Sequence, residues 1–249
     1  KTGKMYLYRN NRNGTFTDVS ASAGVNKPVF AMAMNFGDID HDGFLDLYFG
    51  TGNPNYRSLI PNKLFKNLGG KKFVDVTTSA RVGHLQKGHG VSIVDIDNDG
   101  DEDISADMGG AFRGDAYYSA LFLNPGQGKN NWIYLKLEGV KSNRAAIGAK
   151  VMVKFRENGV QRTVYRDVNT GASFGCNPLR REIGIGKANI VEEITVTWPA
   201  SGTTQTFKNI KANQYIGIRE DQNEIQVLPL TPIVFKKADG TIPMCAPLQ

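Results

Sequence analysis

The chain has 249 residues, 40% hydrophobic and 22% charged, a balance that suits a globular protein with room for two domains and a sizeable core. Its formal charge of +6 is uneven: residues 129–249 hold 17 Lys and Arg against 10 Asp and Glu. The basic residues are scattered, which excludes a nucleic-acid arm and leaves a solvated basic face or a surface for acidic glycans. No apolar run approaches the length of a membrane span, and no signal peptide is visible. Lys1 in place of Met predicts a processed form or a piece of a longer polypeptide. Cys176 and Cys245 are too few for a disulfide scaffold or a four-cysteine zinc site; they stand either as one pair tying down the tail or as two thiols.

The first half is an internal repeat. Leu7-Tyr8-Arg9-Asn10, Leu64-Phe65-Lys66-Asn67 and Leu121-Phe122-Leu123-Asn124 recur every 57 residues without a gap. Phe16-Thr17-Asp18-Val19 matches Phe73-Val74-Asp75-Val76 at the same offset. Each unit carries four strand-like runs, in the first near 5–9, 15–19, 31–37 and 45–50. Four short strands per repeat is what a propeller blade needs, and such units stack because none buries its apolar face alone.

Between the third and fourth runs lies Asp38-Ile39-Asp40-His41-Asp42-Gly43-Phe44-Leu45-Asp46, repeated as Asp95-Ile96-Asp97-Asn98-Asp99-Gly100-Asp101-Glu102-Asp103. Carboxylates fall at positions 1, 3, 5 and 9, with Gly at position 6. Two such charges about 5 Å apart repel by roughly 3 kcal/mol at an effective dielectric near 20. A cation relieves that, and six to eight oxygen ligands suit Ca²⁺ better than Mg²⁺. The expected ligands of two Ca²⁺ ions are Asp38, Asp40, Asp42 and Asp46, and Asp95, Asp97, Asp99 and Asp103, with the backbone carbonyls of Phe44 and Asp101 at position 7. An EF-hand is excluded: position 12 is Phe49 or Ala106 rather than Glu, and the flanks read as strands.

With Phe49-Gly50-Thr51-Gly52 after the first loop, the unit resembles the FG-GAP/VCBS repeat of integrin α-subunit propellers. The second unit departs there, with Ala106-Asp107-Met108-Gly109. The resemblance implies calcium-dependent propeller blades at 1–127. Two units and the opening strand of a third fall short of a closed ring, so these are expected to be the last blades of a larger propeller whose remainder lies outside this chain.

From Asn130 the pattern changes to alternating strands at 131–139, 147–155, 163–168, 194–199 and 214–218, separated by Gly and Asn turns, which predicts a β-sandwich. Asn131-Trp132, Ser142-Asn143-Arg144 with Gly148-Ala149, Gly184-Ile185-Gly186, and Trp198-Pro199 with Gly202 make this part similar to the ASPIC/UnbV domain, which follows such repeats in the cartilage acidic protein family. Glu182 stands where many relatives of that domain carry His. The domain is placed at 128–222, with 223–249 a Pro-containing extended tail.

Other motifs weigh less. Gly171-Ala172-Ser173-Phe174-Gly175 fits a nucleophile elbow, but every histidine (His41, His84, His89) precedes the Ser, against the chain order of that hydrolase fold. Arg113-Gly114-Asp115 is an integrin-type tripeptide in a Gly-rich loop, and Asn13-Gly14-Thr15 is a glycosylation sequon.

The sequence thus predicts an all-β protein, FG-GAP-type propeller blades followed by a β-sandwich. The expected function is a secreted or cell-surface, non-catalytic interaction or adhesion scaffold with structural Ca²⁺. Its partners would be the rest of a propeller or another chain, and an extracellular glycan or protein. Two alternatives stay open: an accessory or catalytic module of a polysaccharide-processing or biosynthetic system, which would need a cleft with paired carboxylates outside the aspartate loops, and a structural subunit of a larger assembly.

Overall fold

The structure, a computed structural model, describes residues 3–52, 60–110, 113–114, 117–126, 130–171 and 174–236. These residues form strands and turns with no helix, so none is long and apolar enough to cross a membrane. The all-β expectation holds.

The first half contains three antiparallel sheets. β1 (Tyr8–Asn10) pairs with β2 (Phe16–Asp18); β3 (Ala31–Gly37), β4 (Asp46–Thr51), β5 (Lys63–Leu68) and β6 (Lys72–Asp75) form a meander; β7 (Gly88–Val94), β8 (Asp103–Met108) and β9 (Ala120–Phe122) form a three-stranded one. The aspartate loops are the hairpins β3–β4 and β7–β8, closing on the pairs Gly37↔Asp46 and Val94↔Asp103. β4 is buried at all six positions because strands flank it on both sides and sheet faces cover it. Tyr48, Leu64, Val91, Ile93, Ile104, Ala106 and Met108 form one core across both larger sheets, so neither stands alone.

The blades are phased differently from the sequence units. A sheet takes the third and fourth runs of one unit and the first and second of the next. The reason is hairpin length. Asp38–Leu45 and Gly69–Gly70 are local turns that let neighbouring strands pair, whereas residues 19–30 form a longer connection that passes from one sheet to the next. β1 and β2 are therefore equivalent to β5 and β6, the last two strands of a blade. The second blade ends at β9, because the next strand in the chain, β10, is taken into the sandwich.

The sandwich has two four-stranded sheets. One runs β13 (Arg181–Gly186), β10 (Asn131–Glu138), β16 (Gln214–Arg219), β17 (Gln226–Leu228); the other runs β12 (Val160–Asp167), β11 (Lys150–Glu157), β14 (Ile190–Thr197), β15 (Thr204–Lys211). β10 and β16 are parallel and all other pairs antiparallel. Inward side chains such as Ile133, Leu135, Phe155, Ile183, Ile194 and Trp198 are fully buried, as the period-two alternation requires. The Ser142-Asn143-Arg144 turn is closed by Glu220, whose carboxylate accepts the amides of Val140, Lys141 and Ser142 at 2.6–2.8 Å. β17 brings part of the 223–249 segment into the sandwich. Beyond it the chain runs past the second aspartate loop, where the Ile233 amide donates to the Asp97 carbonyl and the Asn98 side chain to the Thr231 carbonyl.

Candidate metal centres at the joint between blades and sandwich

The two loops fold alike. In each, the Gly at position 6 has positive φ (88° at Gly43, 101° at Gly100), and its amide donates to the carboxylate at position 1. The position-9 carboxylate accepts the amide of position 2 and that of the Asn ending the following Leu-x-x-Asn stretch. For Asp46 these are Ile39 and Asn67; for Asp103 they are Ile96 and Asn124, with distances of 2.7–3.0 Å. The Asn that marks the repeat in sequence is thus a structural part of the loop. Carboxylate oxygens of Asp38, Asp40 and Asp42 lie within 4.8 Å of one another, and so do those of Asp95, Asp97 and Asp99. Asp46 and Asp103 stand at the strand ends beside them, held by those amides. Phe44 is fixed in place by the Arg162 guanidinium, 4.4 Å above its ring.

The donor set fits a hard divalent cation. It is all oxygen, and one buried oxygen, Oδ1 of Asp40, has no hydrogen-bond partner. The electrostatics agree. Burial, followed by neighbouring carboxylates, pushes Asp101 up to about 6. Burial pushes Asp46 up to about 8 and Asp103 to about 7, with the remaining aspartates adding and the backbone amides opposing. Asp38 is pushed by burial to about 7 against the pull of Arg166. Loops without a cation therefore hold their charge at a cost.

That cost has a sign that can be measured. Asp38, Asp46 and Asp103 bind protons more tightly folded than unfolded, so the stability they add is complete below about pH 4 and is lost as pH rises through 7 to 8. Buried His41, lowered to about 4, acts in the opposite sense but only below about pH 6.5. With chelator present, acidification from pH 8 to 6.5 should raise the melting temperature by several degrees, at up to about 1.4 kcal/mol per proton per pH unit. Saturating Ca²⁺ should flatten or reverse that trend. A chelated protein whose melt is flat over this range would contradict the assignment.

Both loops face the sandwich. The Gly184 amide donates to Asp38 Oδ2 and the Gly186 amide to the His41 carbonyl. Arg162 on β12 donates to the Asp42 carbonyl at 2.7 Å, and Arg180 donates to the Asp95 carbonyl at 2.7 Å and to Asn98. A Cβ on Gly43 would meet Arg162 at 2.8 Å, and one on Gly100 would meet the Trp132 indole at 3.0 Å, so the sandwich also packs closely on each position-6 Gly.

Two parallel contacts show how the sandwich is placed. Glu102, at position 8 of the second loop, accepts the Asp38 amide at the start of the first; Glu182 of the sandwich accepts the Asp95 amide at the start of the second. Asn35 on β3 donates to the Val91 carbonyl of the next blade, and Ser92, 57 residues on, donates to the Cys176 carbonyl. Residues 174–182 therefore make toward the second blade the contacts that the second blade makes toward the first.

Residues 1–49 match the FG-GAP-like repeat family, and residues 139–225 match the ASPIC and UnbV family. The first part of the chain is thus similar to an FG-GAP-like repeat and the second to an ASPIC and UnbV domain. The chain is 22% identical over 290 residues to cartilage acidic protein 1 of Mus musculus, across 94% of this chain and 44% of that protein. It thus spans less than half the length of that relative.

Where the ASPIC and UnbV domain meets the FG-GAP-like blades, β3, the segment 177–182 and Tyr165–Asp167 enclose a cleft of about 360 Å³. Glu102, at position 8 of the second aspartate loop, and Glu182 of the sandwich both line it, a carboxylate pair that the sequence did not reveal and of which only Glu182 lies outside the loops. Burial and their mutual repulsion raise Glu102 well above the ordinary range; burial raises Glu182 as well, against Arg180. Sequence reading also missed Lys66, Arg162, Arg166 and Arg180. Glu182 alone carried a signal, as a departure from the pattern of similar domains.

The remaining motifs settle as follows. His84 packs edge-on to Tyr117 with ring centroids 5.3 Å apart, and its Nδ1 accepts the Gln86 amide. Asn13 accepts from the Thr15 amide and hydroxyl in an exposed turn. Ser173 of the elbow-like stretch, Asp115 of the tripeptide and Cys245 lie outside the described residues; the Cys176 side chain is exposed.

Proposed function

We propose that this protein is a non-catalytic, extracellular interaction scaffold in which Ca²⁺ in the two aspartate loops rigidifies the joint between the FG-GAP-like blades and the ASPIC and UnbV domain. The observation that carries this is the clasping of both loops by sandwich groups: Gly184 and Arg162 on the first, Glu182 and Arg180 on the second. A cation that fixes the loops fixes the surface the sandwich rests on. Extracellular modules of this ligand type bind Ca²⁺ at about 10⁻⁴–10⁻³ M, which suits the millimolar calcium outside cells. The similarity to a protein named for cartilage and the absence of a membrane-crossing helix among the described residues agree with that location. Two tests address it. Calcium, and not magnesium, should titrate into the protein with measurable heat, and trypsin should cut between the two units faster in EDTA than in calcium. Absence of calcium heat, with digestion indifferent to EDTA, would sink the proposal.

The cleft favours a second reading, activity on a polysaccharide or a biosynthetic intermediate. Glu102 and Glu182 each already accept a loop amide, which commits them to holding the joint. Glycan-array binding without turnover would support the scaffold; turnover lost in E102Q and E182Q would support the enzyme.

A further inference from the structure

The two aspartate loops share a ligand pattern but not their surroundings. Lys66, on β5, places its Nζ 2.5 Å from Asp40 Oδ2, so an ammonium already meets the position-3 carboxylate of the first loop. Lys66 is the third residue of the Leu-x-x-Asn stretch whose Asn67 amide holds Asp46, which anchors the strand that aims the lysine. The other oxygen of Asp40 is buried and has no partner. In the second repeat the residue 57 positions on is Leu123, which has no charge to offer, and Asp97 replaces Asp40. Arg162 and Arg166 also approach the first loop, but Arg162 donates to the Asp42 carbonyl and Arg166 stands 3.6 Å from Asp38, so neither meets position 3.

We propose that Lys66 is a built-in counter-cation for the first loop, so that the second loop takes Ca²⁺ directly while the first takes it only by displacing the lysine. The proposal rests on the calcium reading above and adds an order of filling to it. A carboxylate cage tolerates a monovalent ammonium at one edge. A divalent ion needs Asp40 turned inward as a ligand, and the lysine competes for it. The first loop then keeps its position-3 charge offset when calcium is low, and the joint passes through a state with only the second loop filled.

The test is calorimetric titration of Ca²⁺ into loop-isolating variants. With the second loop disabled by D97N and D99N, the first should bind weakly, and adding K66L should tighten it at least 10-fold. With the first loop disabled by D40N and D42N, adding L123K should weaken the second at least 10-fold. Melting gives a readout apart from affinity: in EDTA, K66L should melt below the wild type, and calcium should restore it. Equal affinities at the two loops, or K66L and L123K variants that bind and melt like their parents, would overturn the lysine's role and leave the calcium reading intact. No calcium heat in any variant would remove both. Should K66L fail to fold, L123K alone decides, because it adds a charge to an intact second loop.

Discussion

Calcium at 10 mM should raise the melting temperature of chelator-stripped protein by roughly 10 °C, with magnesium at the same concentration giving little. A site with a dissociation constant of about 10⁻⁴ M is then held at about 100 times that constant, and contributes about 2.7 kcal/mol. For a chain of this length each kcal/mol shifts the midpoint by about 2–4 °C. One filled loop gives about 5–11 °C, and a second, weaker one adds to it. The source of the gain is visible in the loops: Asp38 and Asp46 are buried beside other carboxylates, a concentration of charge that a divalent ion would offset. A shift below about 1 °C, measured by calorimetry from the same EDTA-treated stock, would show that the cages do not hold the metal that their donors suit.

Gly184→Ala should destabilise the joint strongly. A Cβ at this position would lie 2.3 Å from the His41 carbonyl carbon, 2.4 Å from its Cα and 2.5 Å from Asp38 Oδ2. Two of the three are backbone atoms, which a rotamer change cannot move. Overpacking a filled interior costs about 1–3 kcal/mol, and a backbone clash belongs at the top of that range or above it. The hydrogen bonds donated by the Gly184 amide to Asp38 and by the Gly186 amide to His41 would be lost together. Urea unfolding followed by tryptophan fluorescence should show a lowered midpoint and an early transition at Trp132 as the blades separate from the sandwich, whose own core, with Trp198, is untouched. Calcium affinity at the first loop should fall with it. A variant that unfolds in one transition at the wild-type midpoint would mean that the close approach is not maintained in solution.

The loops were legible in the sequence because their pattern is local: alternate carboxylates and a Gly at position 6 can be read without any knowledge of the surroundings. Strands such as β10, β11 and β14 were legible through their alternation. β13 was not, because Gly184-Ile185-Gly186 has little strand propensity, and its extended form comes from pairing with β10 and lying against the first loop. The phase of the blades was hidden because a repeat can be cut anywhere along its period, and only hairpin length decides which runs pair. The residues that complete the site, Arg162, Arg180 and Glu182, were invisible for a simpler reason. Each meets its loop across more than 80 residues of sequence, and nothing local marks an arginine that will meet a carbonyl that far away.

Because Glu182 and Cys176 stand in for groups that another repeat would have presented, the array has a terminus made to its own measure. Stacked repeats need an end unit, or their last face stays open to further copies and to aggregation. Here that unit also rests directly on the aspartate loops, through Gly184 on the first and Glu182 on the second. Repeats could be gained or lost at the far side without altering this boundary, whereas any repeat inserted between Phe122 and Asn131 would have to evict the cap.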